Sequence, residues 1–160
     1  MTELAFLGIA EASRLIAARK LSPVELTEAC LGRIAAFDSQ LDSFVTLTAD
    51  RARAEAKAAE AAIMAAGPVS RLHGIPYCLK DIFDTAGIRT TAMSKLLADN
   101  VPVRDAHSQQ KLAAAGGVLV DDRRPVRRGV PVAPGTKGDD DGCKVAAFAG
   151  EQVLVVLWMF

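Results

Sequence analysis

The chain has 160 residues, enough for one domain and a sizeable core. Half its residues are apolar (51%) and 24% are charged, the balance of an ordinary globular protein. Lys plus Arg equals Asp plus Glu at 19 each, so there is none of the basic excess that nucleic-acid binding draws on, and no such partner is expected.

The first residues, MTELAFLGIAEASRL, carry acids early and no basic segment before an apolar one, so they do not read as a signal peptide. Residues 9 to 20 read as a helix, with Ile9, Ala12, Leu15 and Ile16 along one side. Ser22, Pro23 and Glu25 then form a helix start. Ser22 can cap free backbone donors, Pro23 loses no hydrogen bond at the first position, and Glu25 can reach back to the cap amide. Apolar positions 26, 30, 34, 37 and 41 follow at helical spacing, with an end expected near Phe37 or Asp38. Leu41 to Leu47 is a linker or a short strand.

From Ala49 to Ala66 the chain is mostly alanine, the strongest helix former, and Gly67 and Pro68 stop it. The charges Arg51, Arg53, Glu55, Lys57 and Glu60 read as a solvated face. Ile75, Tyr77 and Leu79 alternate with Pro76, Cys78 and Lys80, which is strand periodicity. Gly87, Thr90 and Thr91 suggest a loop. Asp105 to Ala115 predicts another helix, ending at Gly116 and Gly117, and Val118 to Val120 another strand. This order points to an α/β layered fold.

At Asp121 the composition changes. Residues 121–144 hold three prolines, four glycines and paired charge clusters without a sustained period, and are expected to be irregular. Residues 145–160 fit a helix or a strand. The apolar run Val153 to Phe160 is too short to span a bilayer, which takes roughly twenty residues, so no membrane partner is expected. Arg123, Arg124, Arg127 and Arg128 are offset by neighbouring acids: six basic residues meet six acidic ones over 121–160.

Lys80 is the sharpest chemical candidate. A lysine has a solution pKa of about 10.4, and burial disfavours its charged form, so a lysine at the mouth of a buried strand can become a base toward a hydroxyl. The competing reading is a surface lysine paired with Asp81 or Asp84. Cys30, Cys78 and Cys143 are odd in number and widely spaced, with no CxxC pair; reduced thiols in the cytoplasm are expected. His73 reads as a structural histidine bonded to backbone. His107 sits early in a helix, and neither has the neighbours of a metal ligand. Cys78 reads as a buried inert thiol, Ser70 as a loop residue, Ser94 as a loop hydroxyl and Ser108 as an exposed helix residue.

The run LHGIPYCLKDIFDTAGIRTT, residues 72–91, closely resembles the lysine segment of the amidase signature family. LSPVELTEACLGRIAAFDSQLDSFVTL before it and DAHSQQKLAAAGGVLV after it resemble the flanking blocks, in the family's order and spacing. The resemblance covers about residues 9–120. It implies the N-terminal portion of the amidase signature fold, a mixed sheet flanked by helices, here incomplete. It also implies hydrolysis of non-peptide amide C–N bonds through a Ser-Ser-Lys triad, with Lys80 as the general base, a small-molecule amide substrate for an intact relative, and no metal or organic cofactor. One of the subunits of tRNA-dependent amidotransferases shares this fold and triad.

The family's glycine- and serine-rich loop has no counterpart. No serine follows Ser108, so the nucleophile and the middle serine are unmatched. The expected organisation is an N-terminal part of an amidase domain over 1–120 and a divergent tail over 121–160. Loss of resemblance at one residue, with the Arg, Gly, Pro and Ala that a GC-rich frame yields, suggests a frameshift product or an aberrant junction. The chain alone is then expected to be inactive, a remnant that self-associates through uncovered strand edges.

Overall fold

A computed structural model describes residues 4–41 and 43–123, together with 155–156. The element order begins with a 3-10 turn at Leu4–Phe6, then α1 (Ile9–Ala17), α2 (Pro23–Leu41), β1 (Phe44–Leu47) and α3 (Ala49–Ala66). It continues with β2 (Pro76–Lys80), a 3-10 turn at Lys95–Leu97, α4 (His107–Ala114), β3 (Val118–Arg123) and β4 (Val155–Val156).

The α2 start forms as its sequence dictates. Ser22 Oγ accepts from Val24 N at 3.0 Å, and Ser22 N donates to Glu25 Oε2 at 3.1 Å, the reciprocal pair of a capping box. The other end differs from expectation. The helix runs on to Leu41, and Asp38 Oδ1 accepts from Ser43 N at 2.8 Å, which satisfies the chain leaving the helix. Phe37 stays 44% exposed, with the Arg33 guanidinium 5.4 Å from its ring and 4.2 Å from that of Phe6. Helix α1 stops three residues early. Arg19 takes a left-handed φ of 57°, and the amides of Arg19 and Lys20 turn back to Ile16 O and Leu15 O. A non-glycine residue in that role carries no sequence signal.

The strands form one sheet in the order β1-β3-β2-β4. β1 is antiparallel to β3, and β2 lies parallel to both β3 and β4. The sheet has helices on one side: Leu31 and Ile34 of α2 and Ala52 and Ala56 of α3 pack on Cys78, Val118 and Val120. On the other side Tyr77, Leu79 and Leu119 meet Ile88 of the loop and Leu112 of α4. Covered on both faces, β2 is buried from Pro76 to Leu79 rather than on alternate residues.

Not all the charges of α3 form a solvated face. Glu55 Oε2 accepts from the Leu119 amide at 2.8 Å while its Oε1 is held by Arg51 Nε at 2.7 Å. Leu119 stands beside a register shift, where Tyr77 pairs with Leu119 but Cys78 pairs with Asp121. A bulge leaves ladder groups unpaired, and a helix carboxylate satisfies one of them here. Glu60 accepts from Ser22 Oγ at 2.5 Å. Thr48, just before α3, donates its hydroxyl to Val120 O at 3.0 Å.

Strand β3 continues three residues past Val120, so Asp121–Arg123 are strand rather than irregular. The remainder of the expected irregular tail, 124–144, lies outside the described residues. Within 145–160 only Val155 and Val156 are described, and they are a strand.

Candidate functional site around the lysine strand

Lys80 is the last residue of β2, at its C-terminal end, and is half-buried. The chain turns sharply after it, with Ile82 N and Phe83 N both donating to Lys80 O at 2.6 and 3.1 Å. Among the described residues no carboxylate forms an ion pair with Lys80, so the surface pair with Asp81 or Asp84 does not occur. Asp81 turns inward instead. It is 1% exposed, and its carboxylate accepts from both the amide and the hydroxyl of Thr91.

The 81–106 loop is therefore built from the inside. Thr85, Ile88 and Thr90 are buried. Ala106 N donates to Asp84 O at 2.7 Å, and Ala86 N to Asp105 Oδ1 at 2.7 Å. That second bond occupies Asp105, and α4 starts at His107 rather than at Asp105. Asn100 closes the loop's far side, donating Nδ2 to Thr90 O while its own carbonyl accepts from Thr90 N, both at 3.0 Å. Between these ties, Ala92 and Met93 hold positive φ values of 48° and 56°, sparsely populated for residues with a Cβ.

The remaining candidates take structural places. Ser94 Oγ accepts from Leu96 N at 3.2 Å and caps the 95–97 turn. Ser70 donates to Ala115 O at 2.7 Å, joining its loop to the end of α4. Ser108 is half-buried rather than exposed. His73 is buried and its Nδ1 accepts from Val69 N at 3.1 Å; burial pushes its imidazole below the ordinary pKa. His107 is exposed. Cys78 is buried on the helix side of β2. Burial pushes the Cys30 thiol up to about 11, an unreactive form at neutral pH. Cys143 lies outside the described residues, as do Arg124, Arg127 and Arg128.

Sequence reasoning did not single out three groups near the lysine strand. They are Asp81 as the anchor of the loop, Glu55 on the bulge, and Gln109, whose Oε1 accepts from the Tyr77 hydroxyl at 2.7 Å inside the core. Asp81 had a signal, an acid directly after a buried strand and ten residues before Thr91. Gln109 had none in a polar helix segment. Among the described residues no three His, Cys, Asp or Glu side chains gather as a metal site would require, and no helix is long and apolar enough to cross a membrane.

Known proteins align with this architecture over most of its described part. The A subunit of the glutamyl-tRNA(Gln) amidotransferase of Roseiflexus sp. (strain RS-1) is 46% identical over 120 residues, which are 75% of this chain and 24% of that protein. Its namesake from Anaeromyxobacter dehalogenans (strain 2CP-C) is 46% identical over 118 residues, 74% of this chain and 24% of the relative. The native peptide amidase from Stenotrophomonas maltophilia superposes with a TM-score of 0.69 at 32% identity, covering 74% of this chain and 25% of that one. A fatty acid amide hydrolase superposes with a TM-score of 0.72 at 24% identity, covering 77% and 22%, a likeness of fold alone. The chain thus spans about a quarter of the length of these relatives. The family described as Amidase matches residues 25–120, from the first turn of α2 to the middle of β3, and the chain belongs to that family.

Proposed function

We propose that this chain carries the lysine side of an amide-hydrolysing centre, with Lys80 as the proton acceptor of a Ser-Ser-Lys triad acting on linear C–N amide bonds. The observation that carries the reading is the position of Lys80. It ends a strand buried on both faces, has no carboxylate partner among the described residues, and opens a loop fixed from within. In such a triad the lysine amine takes a proton from one serine, which takes one from the second. The second serine attacks the amide carbonyl, amine leaves, and water releases the acyl group. No serine follows Ser108, so both serines belong to residues this chain does not hold. The chain alone is therefore inactive, with the small-molecule amide the substrate of an intact relative. The chemistry needs no cofactor, and the reduced thiols suit the cytoplasm.

The names of the curated relatives favour a narrower version. They are amidotransferase A subunits, and a chain like them would work on glutamyl-tRNA(Gln) within an assembly of several different chains. A non-catalytic interaction fragment is the other reading, favoured by the missing serines and by exposed apolar residues such as Leu96 and Val103, at 95% and 90%.

The test is to translate the coding DNA beyond the Val120 codon in all three frames. A glycine- and serine-rich loop in another frame restores an intact product. That product should hydrolyse a linear amide, and Lys80→Ala should slow it by about 10²–10⁴-fold, the range of a general base. An unchanged rate in the Lys80→Ala variant would remove Lys80 from the mechanism. Absence of such a loop in every frame would favour the interaction fragment.

A further inference from the structure

The loop that follows the lysine strand is inverted in polarity. Asp81, Thr85 and Thr90 are buried in it, while Ile82, Met93, Leu96, Leu97, Val101 and Val103 are exposed, Leu96 and Val103 almost wholly. Elsewhere among the described residues, large exposed apolar side chains stand one to an element or loop, as on any protein surface.

The loop is not a slack segment that could turn these groups inward. The Asp81 carboxylate holds Thr91 at its amide and its hydroxyl, and Thr90 and Asn100 exchange two bonds. Gly87 N donates to Pro102 O and Asn100 N to Leu97 O, both at 3.0 Å. Ser94 caps the turn that presents Leu96 and Leu97. The polar groups make the loop's inner bonds and the apolar ones are left outside. Apolar side chains gathered on a fixed outer face mark contact with another polypeptide segment.

The kind of polypeptide follows from length and position. This chain spans about a quarter of the length of relatives that are 46% identical to it, so the larger part of those proteins has no counterpart in the aligned residues. The loop leaves from the C-terminal end of β2, where Lys80 stands. A serine that hands a proton to Lys80 must come within hydrogen-bond reach of that same end, so the segment carrying it must lie against the loop.

We propose that the outer face of the 82–103 loop docks the serine-bearing larger part of an amidase-family polypeptide. The proposal rests on the reading of Lys80 as one side of a divided centre, and its test reads binding apart from catalysis.

The full chain is co-expressed with the Roseiflexus sp. (strain RS-1) relative from which the 120 aligned residues have been removed. The two should co-purify as an equimolar complex. Leu96→Asp combined with Val103→Asp should weaken that complex about tenfold or more, as loss of apolar anchors does. The same pair should leave the melting temperature of the isolated chain unchanged, because both side chains already face water. Lys80→Ala should leave the complex intact. A complex that forms through this face but hydrolyses no linear amide would fault the catalytic reading and uphold the docking one. Three results overturn the proposal: a complex indifferent to the two substitutions, a relative that stays insoluble or unbound beside this chain, or only a dimer of this chain that the substitutions break. The last would assign the face to a second copy.

Discussion

Asp81 and Thr91, ten residues apart, are joined twice: one carboxylate oxygen accepts the Thr91 amide at 2.5 Å and the other accepts its hydroxyl. Because Asp81 is buried and follows Lys80 directly, this clamp fixes the direction in which the chain leaves the lysine strand. Removing the carboxylate leaves a backbone donor and a hydroxyl without their acceptor, which costs about 1–3 kcal/mol. Asp81→Ala should lose that much in urea unfolding. Thr91→Ser, which keeps both donors, should stay close to the unaltered protein.

Tyr77 and Gln109 form a second polar pair inside the apolar layer between β2 and α4. The phenol donates to Gln109 Oε1, burial pushes its pKa up to about 12, and Gln109 Nε2 is buried with no partner among the described residues. Tyr77→Phe strands the amide oxygen as well, so it should destabilise by about 1–3 kcal/mol. Combining it with Gln109→Leu removes both polar groups and should recover much of the loss. A double-mutant cycle from chemical denaturation reads the coupling directly, and additive effects would contradict it.

Much of this fold follows from local chemistry. The capping box at Ser22 and Glu25 and the alanine run of α3 need no tertiary information, and both form where the sequence places them. The misses are long-range. Nothing near Glu55 reveals that a bulge 64 residues away presents an amide to it. The alternation in β2 marks a strand, but nothing local says that α4 and the loop after Lys80 are what cover its second face. The place of Lys80 at the end of β2 is legible, because a polar residue ending an apolar strand is conspicuous, and its role stays a proposal. Its loop reads as ordinary surface because the threonines that make it compact are polar, and their burial depends on Asp81 and Asn100 meeting them.

His73 gives a pH prediction. Its imidazole is buried, accepts from Val69 N, and titrates below its ordinary value because burial disfavours the charged ring. The unfolded chain therefore binds the proton first as pH falls. The stability contributed by the neutral ring is fully present above the unfolded pKa of about 6.5, and is lost as pH falls from there through the lower folded pKa. The melting temperature should decline over that window. In His73→Asn, which cannot titrate, the decline should be shallower. Parallel curves for the two proteins from about pH 7.5 to 5, a range that brackets an ordinary histidine, would show that another group is responsible.

Gly116 and Gly87 separate backbone strain from steric exclusion. Both hold left-handed φ values, 82° and 75°. A Cβ on Gly87 would meet nothing within 4 Å, whereas one on Gly116 would lie 2.5 Å from Cδ2 of His73, at the step from α4 into β3. Gly87→Ala should therefore cost only the left-handed penalty, about 1–2 kcal/mol. Gly116→Ala adds overpacking against a ring already fixed by the Val69 amide, a further 1–3 kcal/mol or so. The gap should shrink in a His73→Ala background, where the colliding ring is gone but the φ strain remains. Denaturant unfolding of the four variants measures it, and a gap that survives loss of the ring would place the strain in the backbone alone.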